Sequence, residues 1–224
     1  MDELQRGRRL SGVRGLIARR MRDSLAQTAQ LSFHATVDAS AALALVQKEK
    51  TAGAAVTLED AVAWVYLRCL GEYPALNGTC ESGQFLPSDG IQLGVAIGVT
   101  EHLTVAVIRD ADAMDLRELA AARRSLVRAA VGNALKPAQM RGATTTISNL
   151  GKGRTEAFTP ILNPPQVALL GVSALLQRPW ITPEGELAVR PTLGLSLTVD
   201  HQWIDGAPAN QFLSRCCELL ETLG

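Results

Sequence analysis

Hydrophobic and polar positions alternate most clearly near the end of the chain, between Leu195 and Asp200. Leu195, Leu197 and Val199 are apolar, and a polar residue follows each of them. Because successive side chains of a strand point to opposite faces, this period of two predicts a strand with one buried face. Similar runs predict further strands over 32–38, 91–99, 103–108, 144–148 and 167–172, and a short hairpin over 180–189.

Apolar positions recur at steps of three and four in other segments, which predicts amphipathic helices. The first of these, 13–27, has five apolar residues at this spacing: Val13, Leu16, Ile17, Met21 and Leu25. Further helices are predicted over 40–51, 57–72, 116–131 and 208–223. No low-complexity linker interrupts the chain after Gly12, so we predict one mixed α/β domain.

Polar residues mark the start of three of these helices. Ser40 and Asp115 stand where a side chain caps a helix N-terminus. Thr57 and Asp60 form an approximate capping box. The fourth helix also carries a run of arginines that we interpret as a solvated face: Arg123, Arg124 and Arg128.

The candidate chemistry begins where the strand of 195–200 ends, at His201. Imidazole has an unperturbed pKa of ~6.5, so it accepts a proton near neutral pH. A histidine at a strand end, with Asp205 four residues on, suits a rigidly held base. The alternative is a polar residue that simply closes a strand, and the spacing alone leaves both open. His34, in a predicted strand, and His102, in a predicted turn, are interpreted as structural and exposed, respectively.

The run from His201 to Gly206, His-x-x-x-Asp-Gly after an apolar strand, resembles a known signature. It is similar to that of the dihydrolipoamide acyltransferases, the core components of 2-oxoacid dehydrogenase complexes, and of the chloramphenicol acetyltransferases, which share their fold. A second block, 144–151 followed by 158–166, resembles the other characteristic segment of this family. Both blocks occur in the family's order and at about its separation, and residues 11–21 look like its opening helix.

This resemblance implies a fold and an assembly. The fold is the chloramphenicol acetyltransferase-like α/β type, a mixed α+β sandwich with a central mixed sheet and flanking helices, that forms trimers. Residues 1–12 are expected to be a flexible arm lying over a neighbouring subunit. Residues 13–224 are expected to be the acyltransferase domain, without a lipoyl or peripheral-subunit-binding domain. After Leu220 the sequence lacks the apolar tail that joins trimers into cages, so a free homotrimer is expected.

The resemblance also implies the reaction, which is transfer of an acyl group between a dihydrolipoyl thiol and coenzyme A. His201 is then the general base, and Ser148 of the next subunit stabilises the oxyanion of the tetrahedral intermediate. Asp205 braces the loop through an arginine, for which we predict Arg14. Lipoate is expected on a separate protein or domain, and a lipoylated carrier and 2-oxoacid dehydrogenase subunits are the implied partners.

Several substitutions relative to the family keep rival functions open. Gln202 stands where arginine is usual, Trp203 replaces a small aliphatic residue, and Ala106 replaces a common proline. One rival is a freestanding chloramphenicol acetyltransferase-like enzyme that transfers an acyl group from acyl-CoA to a hydroxyl or amine. Another is a trimeric scaffold without catalysis, although retention of His201, Ser148 and Asp205 weighs against it. The residues do not specify the acyl group.

The composition of the chain also indicates which classes of binding partner are not expected. Lysine and arginine total 22, as do aspartate and glutamate, and only 4% of residues are aromatic, so neither nucleic acid nor an anionic membrane is indicated. No apolar run approaches the ~20 residues of a membrane helix, and the amino terminus lacks a signal-peptide core. The four cysteines form no Cys-x-x-Cys pair and have no histidine at metal-ligand spacing. We therefore expect reduced thiols, no metal and a cytoplasmic location.

Overall fold

A six-stranded mixed sheet is the centre of the structure, a computed structural model that describes residues 10–99, 103–182 and 184–223. Its strands lie in the order β1, β8, β7, β6, β4, β5. β6 runs parallel to β4 and β7, and the other neighbouring pairs are antiparallel. β2 and β3 form a separate hairpin. The strands are β1 (Gln30–Asp38), β2 (Gly78–Glu81), β3 (Gln84–Pro87), β4 (Leu93–Gly98), β5 (Leu103–Ile108), β6 (Thr145–Asn149), β7 (Ala168–Ile181) and β8 (Leu187–Asp200).

Four helices, α2 to α5, pack on one face of this sheet, and the hydrophobic core lies between these helices and the sheet. The helices of the chain are α1 (Gly12–Gln27), α2 (Ser40–Thr51), α3 (Leu58–Glu72), α4 (Leu116–Val131) and α5 (Gly206–Glu221). The apolar side chains of β8, Leu195, Leu197 and Val199, are fully buried in this core. The predicted mixed α/β fold, with a central mixed sheet and flanking helices, is therefore confirmed.

The opposite face of the sheet is polar. In register across it lie His34 on β1, Ser196 on β8, Gly171 on β7, Ser148 on β6 and Ala96 on β4. Residues opposite one another on neighbouring strands project to the same face. His34 Nδ1 lies 2.9 Å from Ser196 Oγ, which gives the predicted structural histidine a partner. Ser148 therefore projects from the face that the four packed helices leave uncovered.

The loop between β6 and β7 crosses part of this polar face. Phe158 lies directly over Gly171, because a Cβ atom there would stand 2.7 Å from its ring. Farther on, Ser24 of α1 donates a hydrogen bond to the Leu162 carbonyl at 2.8 Å, and Arg20 donates to the Pro164 carbonyl at 3.0 Å. α1 is thus attached to the loop.

The apolar residues of α1 do not form a buried stripe within one chain. The 3.6-residue spacing predicted a helix here, and the helix is present over almost the expected range. However, Val13, Leu16 and Leu25 are all exposed, whereas Ser24 is buried. Ile17 and Met21 are half-buried, so the described residues cover only part of the apolar pattern of α1 and leave Val13, Leu16 and Leu25 uncovered.

Two predictions about helix residues are wrong. Ser40 is the first residue of α2 and not its cap. The backbone N–H of Ser40 donates a hydrogen bond to the Asp38 carboxylate at 2.8 Å. Arg123 is buried, because its guanidinium forms ion pairs with Asp60 at 2.5 Å and Glu59 at 3.1 Å that join α4 to the start of α3. The prediction rested on the shared charge of Arg123, Arg124 and Arg128, and charge alone does not reveal the acidic partners of Arg123.

Most predicted helix starts and turns agree with the structure. The capping box of Thr57 and Asp60 is present, and Asp115 forms a second one with Glu118. The turn with His102 and the first nine residues of the predicted arm of 1–12 lie outside the described residues, and the last residue of that arm, Gly12, begins α1. The described helices include none that is long and apolar enough to cross a membrane.

The four cysteines are free thiols that are either buried or half-buried. Cys69 and Cys216 are buried, and all four cysteines are free. Burial raises the pKa of Cys217 to about 12, so this thiol stays protonated at neutral pH. Protonated thiols are poor nucleophiles, which favours a packing role for this cysteine.

A buried hydroxyl attaches α3 to the strand that carries Ser148. Tyr66 is fully buried and hydrogen-bonded to Thr145 Oγ1, which in turn donates to the Ala168 carbonyl at 3.1 Å. Burial raises the pKa of Tyr66 above its usual range, so the hydroxyl remains a neutral donor.

We expect Tyr66→Phe to lower the free energy of unfolding by about 1 kcal/mol, because one net hydrogen bond is lost. Urea unfolding measures this change. Tyr73→Phe is the matched control, since its hydroxyl makes no hydrogen bond within the described residues. Equal stability of the Tyr66 and Tyr73 variants would show that the buried hydrogen bond contributes nothing.

Candidate active site

A buried carboxylate fixes the turn that carries His201. Asp200 ends β8, and its Oδ1 accepts hydrogen bonds from the backbone N–H groups of Ala29 at 3.0 Å and Gln202 at 3.1 Å. His201 donates its own backbone N–H to the Ala29 carbonyl at 2.8 Å. The backbone is therefore held on both sides while the His201 side chain remains 44% exposed. Such a histidine is positioned, yet accessible to a substrate.

Gln202 has a structural role in the same turn. Its Nε2 donates to the Gln27 carbonyl at the end of α1, at 2.8 Å, and to Asp200 Oδ1 at 3.2 Å. A neutral amide thus occupies the place where the family usually has a charged arginine, and it joins the turn to α1. Neither Asp200 nor this use of Gln202 follows from the sequence, because both depend on α1 lying beside the end of β8.

Asp205 lies beside His201 but is not hydrogen-bonded to it. Its Oδ1 is 3.8 Å from His201 Nδ1, which is too long for a hydrogen bond, and its side chain is 86% exposed. The carboxylate stands at the start of α5 without capping it. Arg14 is exposed on α1, and the ion pairs of the described residues do not join it to Asp205, so that pairing stays a prediction.

Ser148 lies half-buried near the end of β6. Its neighbours in register are the small residues Ala96 and Gly171, and the ring of Phe158 covers Gly171. Among the described residues, its hydroxyl has no hydrogen-bond partner. The hydroxyl is therefore available as a donor to a bound group.

Within one chain, His201 and Ser148 are far apart. Ser148 lies level with Ser196, two strands away across β7, and His201 follows five residues farther along β8. With strands ~4.8 Å apart and a rise of ~3.3 Å per residue, the two Cα atoms are separated by roughly 19 Å. One subunit cannot bring both side chains to the same reacting carbon.

Two pockets lie at the opposite ends of β6. The first, of about 440 Å³, lies at the start of the strand and is lined among others by Arg20, Glu81, Val105, Arg141 and Thr144. The second, of about 410 Å³, lies beyond its end and is lined among others by Glu59, Arg123, Gly151, Lys152 and Ser173. Ser173 is fully buried there, and its hydroxyl is unpartnered. A third pocket, of about 480 Å³, lies among the helices. The predicted site residues, His201, Ser148, Asp205 and Arg14, line none of these three pockets.

The described residues offer no obvious place for a metal. No three side chains of histidine, cysteine, aspartate or glutamate in the described ranges come together as possible ligands. The polar groups of the site are instead an imidazole, a hydroxyl and the cationic side chains of the pockets. This set suits proton transfer and oxyanion binding.

Comparison with known proteins identifies similar sequences. A model of the family described as 2-oxoacid dehydrogenases acyltransferase (catalytic domain) matches residues 3–224. The chain is 36% identical over 219 residues, 95% of its length, to the dihydrolipoyllysine-residue acetyltransferase component of the acetoin cleaving system of Bacillus subtilis. It is 34% identical over 218 residues, again 95%, to the dihydrolipoyllysine-residue succinyltransferase component of the 2-oxoglutarate dehydrogenase complex of Bartonella vinsonii. These matches cover 54% and 53% of the two relatives, so the chain spans about half of their length.

Solved structures show the same relationship. A probable dihydrolipoamide acetyltransferase from Listeria monocytogenes matches with a TM-score of 0.90 at 28% identity, over 98% of this chain and 96% of that one. Azotobacter vinelandii dihydrolipoamide acetyltransferase matches with a TM-score of 0.87 at 30% identity, over 100% and 96%. A chloramphenicol acetyltransferase matches with a TM-score of 0.59 at 19% identity, over 90% and 94%, which is a likeness of fold alone.

The Azotobacter protein was studied for the role of a serine, a histidine and an asparagine in its catalytic mechanism. Its asparagine follows the histidine by four residues, the spacing of Asp205 after His201 in this chain. Its serine precedes the histidine at nearly the separation between Ser148 and His201. The same residue types, with an aspartate for the asparagine, thus recur at matching spacing.

Proposed function

Because the chain belongs to the family of 2-oxoacid dehydrogenase acyltransferase catalytic domains, we propose that it transfers an acyl group between a dihydrolipoyl thiol and coenzyme A. His201 removes the proton of the attacking thiol, and the thiolate adds to the thioester carbonyl. Ser148 donates a hydrogen bond to the resulting oxyanion. Collapse of the intermediate breaks the original C–S bond, and the departing thiolate recovers the proton from His201. No acyl-enzyme forms.

The separation of His201 and Ser148 is the observation that carries the proposed assembly. At roughly 19 Å within one chain, the base and the oxyanion donor can act on one carbonyl only if they come from different subunits. A homotrimer provides such an interface three times by symmetry. The exposed apolar residues of α1, Val13, Leu16 and Leu25, supply surface for a subunit contact. A lipoylated carrier and 2-oxoacid dehydrogenase subunits are the proposed partners of the trimer.

The pockets at the two ends of β6 suit a reaction with two substrates. Direct transfer requires both thiols to reach one carbonyl, and approach from opposite ends avoids a clash between their long arms. We assign coenzyme A to the pocket beyond the end of β6, because the exposed Lys152 there can pair with a phosphate. The dihydrolipoyl arm then enters at the other end of β6.

We expect Lys152→Ala to raise KM for coenzyme A about fivefold, because an exposed lysine–phosphate pair contributes on the order of 1 kcal/mol. Steady-state kinetics at varied coenzyme A, with acyl-dihydrolipoamide saturating, measures this. Lys48→Ala, an exposed lysine on α2, is the matched control. An unchanged KM in the Lys152 variant would remove coenzyme A from this pocket.

Acceptor choice tests the proposed function itself. The purified protein is given acetyl-CoA and either dihydrolipoamide or chloramphenicol-type hydroxyl and amine acceptors, and release of coenzyme A is followed. Turnover with the dithiol alone supports the proposal. Turnover only with a hydroxyl or amine would establish the chloramphenicol acetyltransferase-like rival, and no turnover by verified trimers would favour the scaffold.

A further inference from the structure

An exposed tryptophan stands beside the proposed base. Trp203 belongs to the same turn as His201, and 38% of its surface is exposed. The next residue, Ile204, is buried in the core, so the turn is anchored directly behind Trp203. In the resembling family this position usually holds a small aliphatic residue. The substitution therefore adds a large apolar surface at the catalytic turn of this chain.

The indole is supported by a second aromatic ring. The ring centroids of Trp203 and Phe85 are 6.3 Å apart, with an angle of 30° between their planes. Phe85 lies on β3 and packs across the hairpin onto Gly78, where a Cβ atom would stand 2.6 Å from its ring. Any larger residue at 78 would push Phe85 away from this position.

The hairpin that presents Phe85 is itself attached to the main sheet. Cys80 of β2 donates its backbone N–H to the Pro165 carbonyl at 2.7 Å, and Thr79 forms a bridge with Gln166. Gln166 is buried and accepts a hydrogen bond from Thr146 on β6 at 2.6 Å. Phe85 and Trp203 thus form an apolar wall that the turn of His201 carries, and none of the predicted catalytic roles uses it.

We infer that the Phe85–Trp203 wall binds the hydrocarbon chain of the dihydrolipoyl substrate, an inference that rests on the proposed function. The thiol that His201 deprotonates must lie next to the imidazole. Because Trp203 is two residues from His201 in the same turn, we place the atoms that continue from this thiol along the indole. In a dihydrolipoyl group these atoms are methylenes, whereas the arm of coenzyme A is interrupted by polar amides. An apolar wall stabilises the methylene chain by removing it from water. It provides no hydrogen-bond partners for the amides of coenzyme A, which would lose their contacts with water there.

The test compares two dithiols that differ in this chain. Dihydrolipoamide and the short hydrophilic dithiothreitol are used as acceptors for acetyl-CoA with wild type, Trp203→Val and the matched control Trp180→Val. Trp180 lies half-buried on β7, opposite Ala188 in the β7–β8 hairpin. We expect Trp203→Val to lower the ratio of kcat/KM for dihydrolipoamide to that for dithiothreitol about tenfold, as if roughly two methylenes lost apolar contact.

The change is expected in KM for dihydrolipoamide, because the wall binds the ground and transition states alike. Phe85→Leu should lower the same ratio by a smaller factor, and Trp180→Val should leave it unchanged. An unchanged ratio in Trp203→Val, or an equal loss of kcat with both dithiols, would overturn the inference; the latter would make Trp203 a positioning residue for His201. Wild-type protein that uses neither dithiol would instead refute the proposed function, and this inference with it.

Discussion

We expect His201→Ala to lower kcat for acyl transfer between acetyl-CoA and dihydrolipoamide by about 10²–10⁴-fold, because the attacking thiol loses its general base. The side chain is 44% exposed and its backbone contacts remain, so the midpoint of thermal unfolding should stay near that of wild type. Steady-state kinetics together with a thermal scan separates lost chemistry from lost structure.

His34→Ala is the matched control for this variant. His34 lies on the same sheet and is hydrogen-bonded to Ser196, but it has no role in the proposed reaction. The large loss is therefore expected at position 201 and not at position 34. Comparable rates for His201→Ala and wild type would exclude His201 as the base, and a loss of the same size in His34→Ala would point to a structural cause.

The second large effect is expected at Ser148. Ser148→Ala should lower kcat about 10²–10³-fold, the usual result of removing one oxyanion donor, and leave KM for both substrates nearly unchanged. The reason is that the hydrogen bond strengthens as negative charge develops on the carbonyl oxygen. Rates with acetyl-CoA and dihydrolipoamide, each varied in turn, measure both constants.

Ser32→Ala is the control from the same polar face. Ser32 Oγ lies 2.7 Å from Thr198 Oγ1, so its loss affects stability and not the reacting carbonyl. If Ser148→Ala raised KM for coenzyme A and kept kcat, the hydroxyl would stabilise the bound substrate and the transition state equally. Ser148 would then be a binding group and the oxyanion donor would have to lie elsewhere.

The strand leading to His201 was predictable because its period of two reflects a local constraint. The alternation marked the strand correctly, but the prediction of a single buried face was wrong. Leu195, Leu197 and Val199 pack under the helices, and the polar residues that follow them, Ser196, Thr198 and Asp200, are buried on the opposite face. The full length of β7 and β8 was not predictable in the same way. Both strands continue for 14 residues through Pro179 and Pro191, residues that normally argue against a paired strand.

The components of the site differ in how far local sequence determines them. Ser148 and His201 were found as residue types within motifs, but their separation depends on the strand order β8, β7, β6, which short patterns do not specify. The buried Asp200 escaped notice because an aspartate at a strand end usually faces water. Its hydrogen bond from Ala29 exists only because β1 pairs with β8.

The exposed apolar surface of α1 has a related explanation. The helical spacing of Val13, Leu16 and Leu25 was a correct indication of a helix, since spacing depends on backbone geometry. It did not reveal what the stripe contacts, and within one subunit these side chains face outward. A pattern selected by contact with another subunit looks the same in the sequence as one selected by the core.

The central claim is that His201 of one subunit and Ser148 of the next form a single active site, and mixing two inactive variants tests it most directly. His201→Ala and Ser148→Ala proteins are unfolded together in equal amounts and refolded, and trimers are verified by light scattering before acyl transfer is measured. Random assembly leaves both side chains intact at one interface in four, so roughly a quarter of the wild-type rate should return. Mixed trimers that remain as inactive as either parent would contradict a site shared between subunits.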